Sequence, residues 1–201
     1  MSDTFREMLT EFYARGFDYL DDSSAGEVRA KRWLNDAMHD IDEAYRWPYL
    51  EATATGAAPL TVSDLGHVRS VVTAAGYPLM ERSVGEIIDW YGSLTTTGSP
   101  QFFYVSAGTV VNVFPVATTD VHVLYWKVQP DMSADSDEPL IPARFRGAIV
   151  EYAVAAALRD DQSPDWQMAQ QEGDRIVARM RDWAVSVAPQ RTVVPALGED
   201  C

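Results

Sequence analysis

The chain has 201 residues, 47% hydrophobic and 23% charged, enough for one sizeable core or two small ones and incompatible with a disordered chain. Lysine and arginine total 16 against 30 aspartates and glutamates, a net charge of −14. A surface that negative repels phosphate backbones, which excludes DNA binding as a main function but suits a lumen through which DNA slides without sticking. No apolar run reaches the roughly 18 residues of a membrane span, so no membrane contact is expected. Met1-Ser2-Asp3-Thr4 lacks the basic start and apolar stretch of a signal peptide, so the expected compartment is a cytoplasm. The single cysteine, Cys201, forms no intramolecular disulfide and supplies no Cys-rich metal site.

Phe5, Met8, Leu9, Phe12 and Tyr13 form one apolar stripe at helical spacing, and Thr4 with Glu7 reads as a capping box. Asp21-Asp22-Ser23-Ser24 breaks the pattern. A second helix then starts with Ser24 and Glu27 as its capping box. Its stripe is Ala30, Leu34, Ala37, Met38, Ile41 and Tyr45, and it stops before Trp47-Pro48 because a residue preceding proline avoids the helical region.

From Tyr49 to about Lys127 the period changes to two and β-branched residues dominate. Val68–Thr73 and Tyr77–Arg82 flank the turn Ala74-Ala75-Gly76. Phe102–Ser106 and Thr109–Phe114 flank Ala107-Gly108, a tight hairpin signal. Val121–Trp126 is apolar on both faces, as a strand covered on both sides is. Between the hairpins, Val84, Ile87, Ile88 and Tyr91 predict a short helix, and the Thr/Gly/Ser loop Leu94–Pro100 is expected to project.

Gln129–Pro142, with prolines near both ends and Asp131, Asp135, Asp137 and Glu138, reads as a solvated linker. One helix follows with Phe145, Ile149, Tyr152 and Ala156 on one side. Another starts at Ser163-Pro164 and carries the heptad-like seam Trp166, Ala169, Gly173, Ile176, Met180, Trp183 and Val187. From Pro189 the chain reads as an extended tail, with Thr192-Val193-Val194 suited to strand addition. The expected fold is α+β: a helical bundle of residues 1–48 and 129–188, an inserted antiparallel β lobe with a short helix over 49–128, and a tail over 189–201.

The chemistry points away from catalysis. His39, His67 and His122 are the only histidines, and they do not recur at metal-ligand spacing. There is no nucleophile elbow, no Gly-rich phosphate loop and no His-Glu-x-x-His. The acidic loop lacks the alternating oxygen ligands and mid-loop glycine of a calcium-binding hand. No cofactor and no metal are expected, and no catalytic residue is assigned. The six tryptophans are more telling, because Trp buries much area at low entropic cost and is enriched at interfaces. Trp33, Trp166, Gly173 and Trp183 are the expected subunit-interface positions.

The layout resembles the head-to-tail adaptor (head-completion or connector) proteins of tailed double-stranded DNA bacteriophages. The resemblance rests on Trp33-Leu34-Asn35-Asp36-Ala37 through Tyr45-Arg46-Trp47-Pro48-Tyr49, on Leu65-Gly66-His67-Val68-Arg69-Ser70-Val71 with Tyr77-Pro78-Leu79, and on Ser99-Pro100-Gln101-Phe102-Phe103-Tyr104-Val105 with Val111-Asn112-Val113-Phe114-Pro115. Val123-Leu124-Tyr125-Trp126-Lys127, Pro139-Leu140-Ile141-Pro142 and Ile149-Val150-Glu151-Tyr152-Ala153 extend it, so that it covers about residues 25–185. The resemblance implies a structural virion protein in the neck. Such a protein forms a ring, usually of twelve copies, under the portal, extends the DNA channel without specific DNA binding, and offers a surface to the stopper or tail protein. By that analogy Arg191, Thr192, Val193, Val194 and Leu197 are the expected portal contact, and the loop Leu94, Thr95, Thr96, Thr97 and Ser99 is the expected tail-facing side. Two alternatives stand beside it: a small hydrolase with a spatially assembled site, or another neck component such as a stopper or tail terminator. The four long helical patterns count against the latter.

Overall fold

A computed structural model describes residues 4–20 and 24–187. Helix α1 (Phe5–Phe12) opens on the expected capping box: Thr4 Oγ1 accepts from the Glu7 amide and Glu7 accepts from the Thr4 amide. Irregular helical turns continue to Leu20, with Gly16 at φ 103° where a side chain would be strained. Helix α2 (Ser24–Glu43) buries Ala30, Leu34, Ala37, Met38 and Ile41 of the predicted stripe, whereas Tyr45 lies beyond its end and is exposed. Its capping differs from expectation: Ser24 is already helical, and the Glu27 carboxylate pairs with Lys31 Nζ at 2.8 Å. The corner after α2 is fixed by Trp47, which is fully buried and donates its indole N–H to the Ile41 carbonyl at 2.6 Å.

Seven strands follow: β1 (Glu51–Ala57), β2 (Leu60–Thr61), β3 (Leu65–Thr73), β4 (Pro78–Glu81), β5 (Phe102–Ser106), β6 (Val110–Phe114) and β7 (Asp120–Lys127). They form one sheet in the order β1-β7-β3-β4-β5-β6-β2. The two ends of that order are chain neighbours, so the sheet is nearly closed. The expected β5–β6 hairpin is present, and its turn residues Ala107 and Gly108 have φ of 51° and 72°, the positive pair that matches strand twist. The expectation of a wholly antiparallel lobe is corrected at one place: β4 and β5 pair in parallel, Met80 opposite Phe102. A parallel pair needs a crossover, and α3 (Val84–Tyr91) with the following loop supplies it. That loop does not project freely. Thr96 O accepts from the Val116 amide at 2.7 Å, Gly98 N donates to Val116 O at 3.3 Å, and Leu94 packs against Ile87, Phe102 and Phe114.

The segment 129–142 is not a solvated linker but a strap clamped to α1 and α2. The Phe5 and Arg6 amides donate to the carbonyls of Asp137 and Asp135, and Asn35 bonds Met132 through both its amide oxygen and nitrogen. Arg146, buried, closes the strap by donating to the Ile141 and Pro139 carbonyls and to Glu138. Helices α4 (Gly147–Asp160) and α5 (Trp166–Val187) complete the chain, α5 starting two residues beyond Pro164. Residues from α1, α2, α4, α5 and the strap share one core, while the inward faces of the strands form a second.

Candidate functional site

A groove of about 390 Å³ opens where α2, α4 and α5 meet. Its floor is apolar and buried: Ala37 and Ile41 from α2 and Val177 from α5, with the half-buried Ala156 of α4. The helical repeat of 3.6 residues places Trp33, Ala37 and Ile41 in one row along α2, so the same periodicity that builds the core also builds the groove. Alanines at 37 and 156 leave the space open. Trp33 and Tyr152 are half-buried in its walls. Tyr152 lies over Gly173 and donates its hydroxyl to Asp174 Oδ1 at 2.8 Å. Burial and the Asp174 carboxylate raise the Tyr152 pKa, so the phenol stays neutral.

The rim is bipolar. Exposed Asp36 and Asp40 stand on the α2 side, and exposed Arg159 and Arg181 on the α4 and α5 sides. Asp40 has a raised pKa, caused first by burial of its carboxylate and then by repulsion from Asp36 and Glu43. Neither Arg159 nor Arg181 has an ion-pair partner among the described residues.

The three tryptophans expected at subunit contacts are all half-exposed on the helical layer, each with an arginine over its ring. Arg29 covers Trp33 at 5.0 Å, Arg159 covers Trp166 at 4.6 Å and Arg144 covers Trp183 at 5.0 Å. Gly173 is buried within the chain, and its lack of a side chain serves the close approach of Tyr152. The expected tail-facing residues Thr95, Thr96, Thr97 and Ser99 are exposed, whereas Leu94 is half-buried. The expected portal residues Arg191, Thr192, Val193, Val194 and Leu197, like Cys201, lie outside the described residues.

One surface was missed in the sequence. Helix α3 buries Ile87 against Phe102 and Phe114 but exposes Ile88, Trp90 and Tyr91, at 44%, 57% and 41%. Arg82 lies over Trp90 at 5.3 Å. The signal was an excess of apolar residues: Trp90 and Tyr91 meet the rings of Phe102 and Phe114 edge-on and still stay part-exposed, because α3 carries more large side chains than one face can bury. From Trp90 to Thr119 the chain carries no charged residue at all, although the whole is so acidic.

Two of the three histidines share one cavity. His39 and His67 line a second cavity of about 320 Å³ at the junction of helices and sheet, with Asp42, Glu43 and Lys127. His122 is elsewhere, beside Thr55 Oγ1 at 3.0 Å. His39 Nε2 is engaged by Asp131 at 2.7 Å, and His67 lies against the Trp126 ring. Asp42 has a pKa raised to about 6 by burial, only partly offset by the hydrogen bond from Tyr49. No serine, threonine or cysteine lines this cavity; its one hydroxyl is that of Tyr45. Among the described residues no group of three or more His, Cys, Asp or Glu side chains is placed to hold a metal ion.

The model of one family, described as SU10 adaptor protein, matches residues 4–193, most of the chain. The chain belongs to the SU10 adaptor family. This is a family of phage head-to-tail adaptors, structural proteins of the virion neck. The match takes in α1, which the resemblance of residues 25–185 left out, and so spans the helical layer, the strap and the β lobe together. No curated protein matches the chain. No helix among the described residues is long and apolar enough to cross a membrane.

Proposed function

We propose that this SU10 adaptor forms a closed ring, of twelve copies by the resemblance, that docks on the portal, prolongs the DNA channel and presents the surface to which a stopper or tail protein attaches. Family membership across residues 4–193 is the observation that carries the reading. In it, the helices from both chain ends act as one bundle with the β lobe inserted. Trp33, Trp166 and Trp183 belong to contacts between neighbours, residues 191–197 reach the portal, and the loop 94–99 faces the tail. A net charge of −14 supports the channel role, because a wall that repels phosphates lets DNA pass without holding it.

The test is co-purification with the portal protein of the same phage. The full chain is expected to be retained as a ring on the portal. A chain ending at residue 188 is expected to fold with an unchanged melting temperature and to lose portal binding. Retained binding by the shortened chain refutes the tail assignment, and failure of the full chain to bind refutes the adaptor reading.

A further inference from the structure

Strand β1 is a sheet edge without the usual protection. It pairs with β7 and, among the described residues, with no other strand. The chain turns back as β2, but β2 is Leu60–Thr61 alone and bonds to β6. The direction of each β1 backbone group follows from the register. The Ala58 amide donates to the Thr119 carbonyl at 3.0 Å, and this pair continues the register in which Ala57 faces Asp120. Hydrogen-bonded pairs recur at every second residue of an antiparallel ladder. Gly56, Ala54 and Ala52 therefore bond to β7, and Thr55, Thr53 and Glu51 turn their backbone groups away from it. The Glu51 amide is taken up by the Pro48 carbonyl. The Glu51 carbonyl and both backbone groups of Thr53 and Thr55 have no backbone partner among the described residues.

Natural edges are blunted by lysine, proline, a bulge or a covering segment. Residues 51–57 contain no lysine and no proline, their register with β7 runs without a shift, and their one charge, Glu51, is held by Arg69. Glu51, Thr53, Thr55 and Ala57 are exposed. On the inner face Ala52 and Ala54 pack on the core of the lobe yet stay half-buried. An extended segment laid along this edge meets unpaired backbone groups and apolar surface to cover.

The chain beyond α5 contains a segment of matching length. Gln190-Arg191-Thr192-Val193-Val194 lies between Pro189 and Pro195, a run of residues that all have amides to donate and that equals Glu51–Thr55 in number. Thr192, Val193 and Val194 are β-branched, which favours a strand. The starting point is also suitable. Trp166 at the start of α5 lies under Arg159, and the adjacent Asp160 meets Arg29 near the start of α2, so α5 and α2 run the same way. Arg181 of α5 and Ala44, just past α2, line one groove. The end of α5 thus lies toward the end of the helical layer from which 45–50 lead into β1. Five extended residues after Val187 span about 17 Å.

We propose that residues 190–194 add as a strand to the outer edge of β1 in their own chain, and that the portal takes them off it. The second step rests on the reading above, in which residues 191–197 reach the portal; the first does not. Strand addition to an exposed sheet edge is a recurring recognition mode, with main-chain hydrogen bonds as its source of affinity. The same residues cannot serve both partners. A copy that has met no portal keeps the segment stored and its own edge closed to other chains.

The test is amide hydrogen exchange in the full chain, read at Thr53 and Thr55. Both amides are expected to exchange at least about 10-fold more slowly than in a chain with Thr192→Pro and Val193→Pro, which lacks a donor whichever face of the segment pairs. These substitutions lie beyond α5 and leave the packed layers as they are. In the reverse direction, Thr53→Pro removes an outward amide without touching the bonds to β7, and the amides of 190–194 should then exchange about 10-fold faster. Should Thr53→Pro perturb the lobe, the comparison with the doubly substituted tail decides alone. The protection should hold over an about 100-fold range of chain concentration. Equal exchange at Thr53 and Thr55 in the unmodified and tail-substituted chains overturns the proposal. So does protection that appears only as concentration rises, which would give the edge to a second copy. Added portal protein of the same phage should return both amides to the rates of the tail-substituted chain; protection that persists on bound portal refutes the release step. If the edge is protected but the portal does not bind, the edge contact stands and the portal reading fails. If the portal binds while Thr53 and Thr55 are indifferent to the tail, the portal reading stands and the edge contact fails.

Discussion

Gly173 of α5 lies against the Tyr152 ring of α4, and Gly173→Ala measures how tight that contact is. A Cβ at this position lies 2.7 Å from Cε1 and 2.8 Å from Cδ1 of Tyr152. Carbon atoms at ease sit about 3.5–4.0 Å apart, so the ring has to retreat by roughly 1 Å. Retreat pulls the hydroxyl from Asp174, which it meets at 2.8 Å. Overpacking of this kind costs about 1–3 kcal/mol. Alanine inside a helix returns about 0.8–1.0 kcal/mol relative to glycine. The net expectation is a loss of about 1 kcal/mol. In a Tyr152→Ala background the wedge is gone, and the same substitution should stabilise by about 0.5–1 kcal/mol. The assay is urea unfolding of the four chains of the cycle, read as midpoint shifts at constant slope. Equal stabilisation in both backgrounds would show that the tyrosine ring does not close on Gly173, and the reasoning would fail.

Three further outcomes follow from groups elsewhere. Burial lifts Asp42 from 3.8 to about 6, so the folded chain holds a proton that the unfolded chain releases. Its contribution is full below about pH 4 and is lost as pH rises through about 6, a change on the order of 2 kcal/mol. Asp42→Asn should flatten that part of the stability-against-pH curve while keeping the bond from Tyr49, and an unchanged curve would assign the dependence elsewhere. Gly26→Ala is expected to cost more than Gly173→Ala, about 3 kcal/mol, because its Cβ would sit 2.3 Å from the Leu20 carbonyl oxygen and backbone must move; the melting temperature reports it. Arg15→Ala leaves the buried Glu151 carboxylate without its 2.6 Å partner. The loss, about 1–2 kcal/mol allowing for the exposure of Arg15, should shrink as pH falls and Glu151 protonates, and Glu151→Gln in the same chain should restore most of it.

Much of this architecture was readable in the chain because periodicity reports burial directly. Phe5, Met8, Leu9 and Phe12 recur at helical spacing and are fully buried, and Ala107-Gly108 marks a hairpin that the structure contains. What sequence reading lost were relations between distant segments. Nothing local distinguishes a strap from a solvated linker: Asp131, Asp135, Asp137 and Glu138 look like a charged loop, and only the partners Asn35, Phe5 and Arg146 make it part of the core. The parallel pairing of β4 with β5 was hidden for the same reason, since strand direction depends on where the crossover returns. The groove was invisible because its floor residues are the ordinary stripes of three helices. The part-exposed aromatics of α3 were legible in principle, as an apolar helix with more large side chains than one buried face can hold.

The strap and the Trp47 corner give the two halves of the molecule a fixed relation, and that bears on assembly. The chain crosses between the helical layer and the sheet twice, once through 44–50 and once through 128–142. The first crossing is held by the buried Trp47 and its bond to Ile41. In the second, Gln129 accepts from the Leu140 amide and donates to the sulfur of Met38 on α2, and Asn35 of α2 bonds Met132 of the strap. Helix α3 lies on the sheet side of these crossings and the α2–α4–α5 groove on the helix side. In a heterologous assembly the rotation from one copy to the next is set by the angle between donor and acceptor surfaces on a single chain. A loose joint would spread that angle and yield rings of several sizes or open filaments. In the ring proposed above, a joint stitched at both crossings would hold that angle the same in every copy.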